Sequence, residues 1–227
     1  MKVEDLIKKA VISLQAYFAN CLSNPSERIQ KSAKLVAYWV CDYIRFLESE
    51  PKFKGRKWKK YKRGDVLKVH LGYRIGTEEG GLHYAIVLDT NNDINSGTIT
   101  VVPLTSVKPG VDVKNLGKDR LFLGSELHNL LDVKIRTQIL LLTKQITSDS
   151  GQDIEEIEKI LQNAKRTQKE LAKLKMGSIA LLGQIVTVSK IRIYDPLSSS
   201  NTLHGIRISD DKLDEIDSMI KKLYIKN

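Results

Sequence analysis

Several residue types are scarce in this chain. Its 227 residues include 2 cysteines, 5 prolines, 4 histidines and 2 tryptophans. Two cysteines exclude a disulfide scaffold. Cys21 and Cys41 each sit among apolar residues at helical spacing, which reads as buried free thiols in a reducing compartment. The histidines, His70, His83, His128 and His204, are scattered without ligand spacing, and no Cys-x-x-Cys pair exists. No metal site and no cofactor are therefore expected. No apolar run is long enough to span a membrane, and Met1-Lys-Val-Glu-Asp-Leu6 is not a signal peptide. The expectation is a cytoplasmic protein with no membrane partner. The stretch Gly76-Thr-Glu-Glu-Gly-Gly81 lacks the Gly-Lys-Ser/Thr ending of a nucleotide-binding loop, and no Gly-x-Ser-x-Gly elbow occurs. Internal repeats and low-complexity segments are also missing.

Positive charge is plentiful. Lysine and arginine number 37 against 27 acidic residues, a net charge of +10 and a pI near 9.4. That balance points to a polyanionic partner, with a merely basic soluble protein as the plain alternative.

Periodicity divides the chain. Leu6, Ala10, Leu14 and Phe18 predict a helix over Val3 to Cys21. Asn24-Pro25-Ser26-Glu27 is a start signal in which Asn24 caps and Glu27 completes a capping box. Ile29 to Leu47 then predict a second helix to about Glu48, closed by Pro51, so that residues 1–50 form a helical hairpin. Residues 51–60 are a basic linker. From Lys52 to Arg63, cations alternate with Phe53, Trp58 and Tyr61, a composition that suits a single-stranded nucleic acid and equally a solvated linker.

Residues 61–227 carry the rest. Val66 to Leu71, Ala85 to Leu88 and Thr98 to Ser106 are strand-like runs bounded by Gly and Asn, and predict an antiparallel meander. Leu121-Phe122-Leu123 is a further short strand. Leu127 to Ile146 is favoured as a helix by its length. A break at Asp149 to Gly151 precedes a stripe from Ile154 to Leu174, with Asp153, Glu155, Glu156 and Glu158 near its start and Lys173 and Lys175 near its end, as the helix dipole favours. Ser178 to Ser189 reads as one strand, continued after a kink by Ile191 to Tyr194. Gly205 to Ser209 reads as another strand, and Ser209 caps a last helix. Leu121 to Leu123 and Ile179 to Val188 are expected in one sheet.

Without metal or cofactor, the available chemistry is that of His, Arg, Thr and carboxylates. RNA cleavage needs no more, because the 2′-hydroxyl of the substrate is the nucleophile. Four blocks carry a resemblance. Tyr61-Lys-Arg-Gly-Asp-Val-Leu-Lys-Val-His-Leu71, Gly76-Thr-Glu-Glu-Gly-Gly-Leu-His-Tyr-Ala-Ile-Val-Leu88, Val101-Val-Pro-Leu-Thr-Ser106 and Ala180-Leu-Leu-Gly-Gln-Ile-Val-Thr-Val-Ser-Lys-Ile-Arg192 occur in order. Together they resemble the MazF/PemK (Kid) toxins of type II toxin–antitoxin systems. The resemblance covers about Tyr61 to Ser106 and Gly177 to Tyr224.

The resemblance implies an α+β fold: an SH3-like β-barrel with a C-terminal helix, here extended by the N-terminal hairpin and by a helical insertion at about 125–175. It implies metal-independent, sequence-specific cleavage of single-stranded RNA, such as messenger RNA, to a 2′,3′-cyclic phosphate. It also implies a homodimer and a cognate protein antitoxin. The family's Arg of Gly-x-Arg-Pro falls on His83, its Pro on Tyr84, and its functional Thr on Thr105. Other members use an Asp and an Arg that would fall on Gly183 and Leu181, so that version of the site is absent. His83 is expected to move protons, with Arg74 and Thr105 stabilising phosphate. Ser106, Gln184 and Glu78, with Lys57, Trp58, Lys59 and Lys60, form the expected RNA-contacting set. Gln184 suits orienting the loop or a base, and Glu78 and Glu79 suit holding the loop through backbone N–H groups. The plain alternative for His83 is a strand-edge histidine bonded to a backbone carbonyl, and His70 is read as structural. Two other functions remain open: a gyrase-inhibiting toxin of the CcdB type, and a nucleic-acid-binding module without catalysis.

Overall fold

The computed structural model describes residues 1–53, 57–147, 154–174 and 177–226. The break at Asp149 to Gly151, and Lys54, Arg56, Asp153 and Lys175, lie outside the described residues.

Helices α1 (Val3–Ser23) and α2 (Glu27–Phe53) form the expected hairpin. Asn24 Oδ1 accepts the Ser26 N–H at 3.0 Å. The reach back comes from Gln30 rather than Glu27: its Nε2 donates to the Asn24 carbonyl at 3.0 Å. Helix α2 overruns its expected end and continues to Phe53, with Pro51 inside its last turn. Little of the hairpin is covered: α1 buries only Cys21 and α2 only Ala33. Cys41, expected to be buried, is exposed, since only one stripe of α2 has a surface to pack against.

Strands β1 (Val66–His70), β2 (Leu82–Val87) and β3 (Thr98–Ser106) pair as an antiparallel meander. The short β4 (Arg120–Phe122) pairs with β5 (Ser178–Leu181), so the two lie in one sheet although a helical segment separates them in sequence. The expected long strand from Ser178 to Ser189 is instead two, β5 and β6 (Val186–Ser189), parted by a 3₁₀ turn at Leu182–Gln184. The reason lies in β3, whose one edge is shared: Thr98 to Val101 pairs with β6 and Leu104 to Ser106 with β5. Strand β7 (Ile193–Asp195) pairs with β1.

The strand path β4-β5-β3-β2-β1-β7 is open, so the expected barrel is not closed. Both terminal strands, β4 and β7, have three residues and are not paired with each other. Gly205 to Ser209 also differs from expectation. It contributes a single bridge, Arg207 to Asp65, beside the Val66 N–H to Ile206 carbonyl bond at 2.9 Å.

Alternation along the strands makes two apolar layers. Val66, Ile86, Val102 and Leu104 pack with Leu127 and Leu131 of α3 (Glu126–Thr147) and Leu213 and Ile216 of α5 (Asp210–Tyr224). Leu67, Val69, Ala85, Val87 and Val101 pack on the other side with Tyr61, Val188 and Ile193. Ser209 Oγ caps α5 by accepting the Lys212 N–H at 3.4 Å. Helix α4 (Ile154–Leu171) lies against α3 and is fastened to the sheet through Glu170. That carboxylate accepts from Lys68 Nζ at 2.9 and 3.0 Å, from Lys173 Nζ at 2.8 Å, and from the Tyr84 hydroxyl. Burial pushes the Glu170 carboxyl up, but the hydrogen bonds from Lys173, Tyr84 and Lys68 outweigh it and hold it at about 2.

A depressed carboxyl stabilises the fold above its ordinary value of 4.5, and this contribution is lost as pH falls toward about 2. Glu170→Gln is expected to cost about 2 kcal/mol at neutral pH, the scale of charged hydrogen bonds, measured as a shift in denaturant midpoint. The gap between variant and parent should shrink on acidification. A gap of equal size at pH 7 and near pH 2 would refute the clamp.

Candidate active site

The loop from Leu71 to Gly81 joins β1 to β2 and is closed at its neck by two backbone bonds. Gly81 N–H donates to the Gly72 carbonyl at 2.6 Å, and Leu71 N–H to the Gly81 carbonyl at 2.8 Å. Gly80 is required here: a Cβ would stand 2.8 Å from the Arg74 backbone nitrogen and 2.9 Å from the Gly72 oxygen. Glu78 holds the tip, its Oε2 accepting the Ile75 N–H at 3.0 Å. Gln184, on the 3₁₀ turn between β5 and β6, ties down the loop's other limb. Its Oε1 accepts the Glu79 N–H at 2.6 Å, and its Nε2 donates to the Thr77 carbonyl at 3.3 Å.

With its backbone fixed, Glu79 directs its carboxylate at His83. The two side chains stand 3.1 Å apart, Oε1 to Nε2, at 17% and 29% exposure. The other ring nitrogen of His83, Nδ1, lies 3.3 Å from the Leu104 carbonyl. Both nitrogens thus face oxygen acceptors, and only an imidazole carrying two protons donates to both. The carbonyl contact is the one a structural histidine makes; the carboxylate beside it pairs a second proton-accepting group with the ring at the cleft.

This pair lies in a cleft of about 280 Å³. Arg74, Gly80 and Leu82 line one side, and Leu35, Tyr38 and Trp39 of α2 line the other. Helix α2 is seated by contacts around His70. The His70 ring stacks on Trp39 at 4.7 Å, its Nε2 faces Asp42 at 3.3 Å, and its Nδ1 accepts the Gly72 N–H at 3.0 Å. Burial pushes the His70 pKa down while Asp42 pulls it up. His70 is buried between β1 and α2, and its contacts serve to seat the helix.

The other expected residues fall in three places. Arg74 lines the His83 cleft, exposed and with no ion pair among the described residues. Thr105 does not line it. The β2–β3 register, Ala85 opposite Pro103, brings Thr105 level with His83 when carried two residues further, but its ladder partner is Ile179 on the far side. Ser106 is exposed at the end of β3. Lys57, Trp58 and Lys59 line a separate cleft of about 160 Å³, with Phe53, Tyr61 and Lys190. Lys60 is exposed outside it. The basic stretch is anchored here: Trp58 N–H donates to the Ile94 carbonyl at 2.7 Å, and the Trp58 ring stacks on Phe53 at 5.2 Å. Sequence reasoning left Glu79 to the loop backbone and assigned nothing to α2. The spacing Glu79 to His83 was the one available signal for the pair. Nothing local marks α2 as a wall of the cleft.

Residues 62–164 match a family model described as PemK-like, MazF-like toxin of type II toxin-antitoxin system. The match takes in β1 to β4, the loop, His83, α3 and the first part of α4, and stops before Gln184. It therefore crosses much of the segment read as an insertion and omits the fourth block. No curated protein matches the chain.

Gln184→Ala is expected to free the loop limb at Glu79. Hydrogen exchange of the Glu79 amide should then speed up by roughly 10-fold, the equivalent of one net hydrogen bond, with amides of β2 unchanged. Equal protection in variant and parent would show that the loop is held by its neck alone.

Proposed function

We propose, from the chain's membership through residues 62–164 in the PemK-like, MazF-like toxin family, that it is a toxin endoribonuclease cleaving single-stranded RNA, messenger RNA included. A type II toxin implies a cognate protein antitoxin. We assign the catalytic unit to residues 61–227, acting as a homodimer, with a helical insertion at about 125–175. The observation that carries the reading is the Glu79–His83 pair, 3.1 Å apart in a cleft that also holds Arg74.

The pair suits a cyclising cleavage. A carboxylate accepts the proton of the 2′-hydroxyl, and that oxygen attacks phosphorus. The P–O5′ bond breaks, and His83, protonated on both nitrogens, donates to the departing 5′-oxygen. The products are a 2′,3′-cyclic phosphate and a 5′-hydroxyl, with protons balanced. Arg74 supplies fixed charge to the phosphate oxygens. Thr105, one strand over, reaches the phosphate only from outside the cleft wall, and Ser106 and the Lys57–Lys60 stretch act in binding. The position of Thr105 is also the observation that favours a binding module without catalysis. A gyrase inhibitor of the CcdB type gives the Glu79–His83 pair no task.

Purified protein incubated with single-stranded RNA in EDTA is expected to yield fragments ending in a 2′,3′-cyclic phosphate. His83→Ala should lose at least about 100-fold in rate, the usual scale of acid–base catalysis, with binding largely kept. Glu79→Gln should lose a similar factor. His83→Arg restores the family residue: retained activity would give position 83 a charge-stabilising role in place of proton transfer. Binding without cleavage by the parent protein would leave the binding module.

A further inference from the structure

Beneath α2 lies a guanidinium without a counter-charge. Arg192 is half-buried, its Nε is shut off from solvent with no hydrogen-bond partner, and it forms no ion pair among the described residues. Asp42, the carboxylate at His70 under the same helix, is engaged by Arg45 at 2.7 Å and faces His70 at 3.3 Å. Burial pushes the Arg192 pKa down. Its guanidinium carbon lies 5.4 Å from the centre of the Trp39 ring. Leaving a charge half-buried and unpaired is unfavourable, and such groups gather where a ligand completes them.

Its position gives the ligand. Arg192 Nη2 lies 3.1 Å from where a Cβ on Gly72 would stand, so the guanidinium abuts the neck of the His83 loop. It also lines a second cleft, of about 200 Å³, with Trp39, Tyr43, Phe46 and Ile191. Trp39 belongs to this cleft and to the His83 cleft; Ile191 belongs to this cleft and to those beside Phe53 and Trp58. The clefts therefore adjoin along the underside of α2. Trp39, Phe46 and Phe53 recur there every seven residues, an aromatic stripe about 21 Å long at helical rise. Lys57 and Lys59 stand at its far end. Rings along a cationic groove fit a single strand, whose bases pack on exposed ring edges and faces while its phosphates meet the cations.

We propose that Arg192 is a phosphate-binding residue of a groove beneath α2, and that RNA extending from the His83 cleft toward Trp58 runs along it. The identity of the ligand as RNA rests on the endoribonuclease reading. The N-terminal hairpin is then a wall of the substrate site. Trp39 acts as a positioning residue, its ring 5.4 Å from the guanidinium carbon.

The test uses the full chain and a short 2′-O-methyl RNA of mixed sequence, which binds but has no 2′-hydroxyl to attack. Arg192→Gln is expected to weaken its binding at least about 10-fold at low salt and to lower the slope of log affinity against log salt by about one. Unchanged affinity and slope would overturn the proposal, as would a parent protein that does not bind the oligonucleotide. Poly-glutamate binding through Arg192 in place of the oligonucleotide would also overturn it, making the groove a site for an acidic protein. If Arg192→Gln no longer melts cooperatively, the Arg192 Nε–H resonance of the parent decides: a shift on adding oligonucleotide supports the site, and no shift refutes it. Cleavage is scored separately on unmodified RNA. Arg192-dependent binding without cleavage keeps this proposal and ends the endoribonuclease reading; cleavage with Arg192-independent binding does the reverse.

Discussion

The divided edge of β3 is the constraint on which the rest of the site depends. The two halves of its nine-residue edge pair with different strands, and the chain breaks where β5 hands over to β6. The break is the 3₁₀ turn at Leu182–Gln184, and it brings the Gln184 amide beneath the loop. Gln184 fixes the Glu79 backbone, and the Glu79 carboxylate meets His83, whose Nδ1 faces the Leu104 carbonyl of β3 itself. The circuit opens and closes on one strand. Two of the links, Gln184 to Glu79 and His83 to Leu104, join segments far apart in sequence, so the geometry of the pair depends on the sheet as well as on the loop.

The two sides of the sheet carry different work. Helices α3 and α5 seal one apolar layer, and α4 is fastened to the same side through Glu170 to Lys68 and Tyr84. Tyr84 therefore points away from the cleft that its neighbour His83 enters. The opposite side is covered more sparsely, by an α2 seated through Trp39, Asp42 and Arg45, the last donating to the Tyr194 hydroxyl at 2.6 Å. Sparse seating leaves adjoining clefts under α2, where a fully packed helix would leave none.

Strands with clean alternation, glycine punctuation and capped helices were legible, because each is written in neighbouring residues. Val66 to His70 and Thr98 to Ser106 follow directly from β-branched runs between Gly and Asn. The turn inside Ser178 to Ser189 was not legible: Leu181, Leu182 and Ile185 are apolar whether the backbone is extended or tightly turned. Nor was the open sheet, since closure depends on the lengths of β4 and β7 after all other pairings are made. His83 was found through its place after a glycine-rich loop. Glu79 was undervalued because a carboxylate beside RNA phosphate looks repulsive when considered without its histidine. Arg192 stood in the fourth block, but a missing counter-charge is a fact of three dimensions.

On the proposed reading, histidine in place of the family's arginine changes the division of labour. An arginine at position 83 would hold phosphate but would transfer protons poorly, since it keeps its charge throughout. A histidine there moves a proton but brings no fixed charge of its own, so the charge must come from elsewhere. Two guanidiniums without acidic partners among the described residues flank the loop: Arg74 on the open side and Arg192 beneath α2. Neither is neutralised by Glu79, which His83 occupies. The carboxylate is therefore kept from cancelling the cations that a phosphate needs, and the cations are kept from locking the carboxylate that a proton needs. That separation of charges depends on Gln184 and α2 holding the two sides apart, which is why a loop tether and an added helix matter to chemistry neither performs.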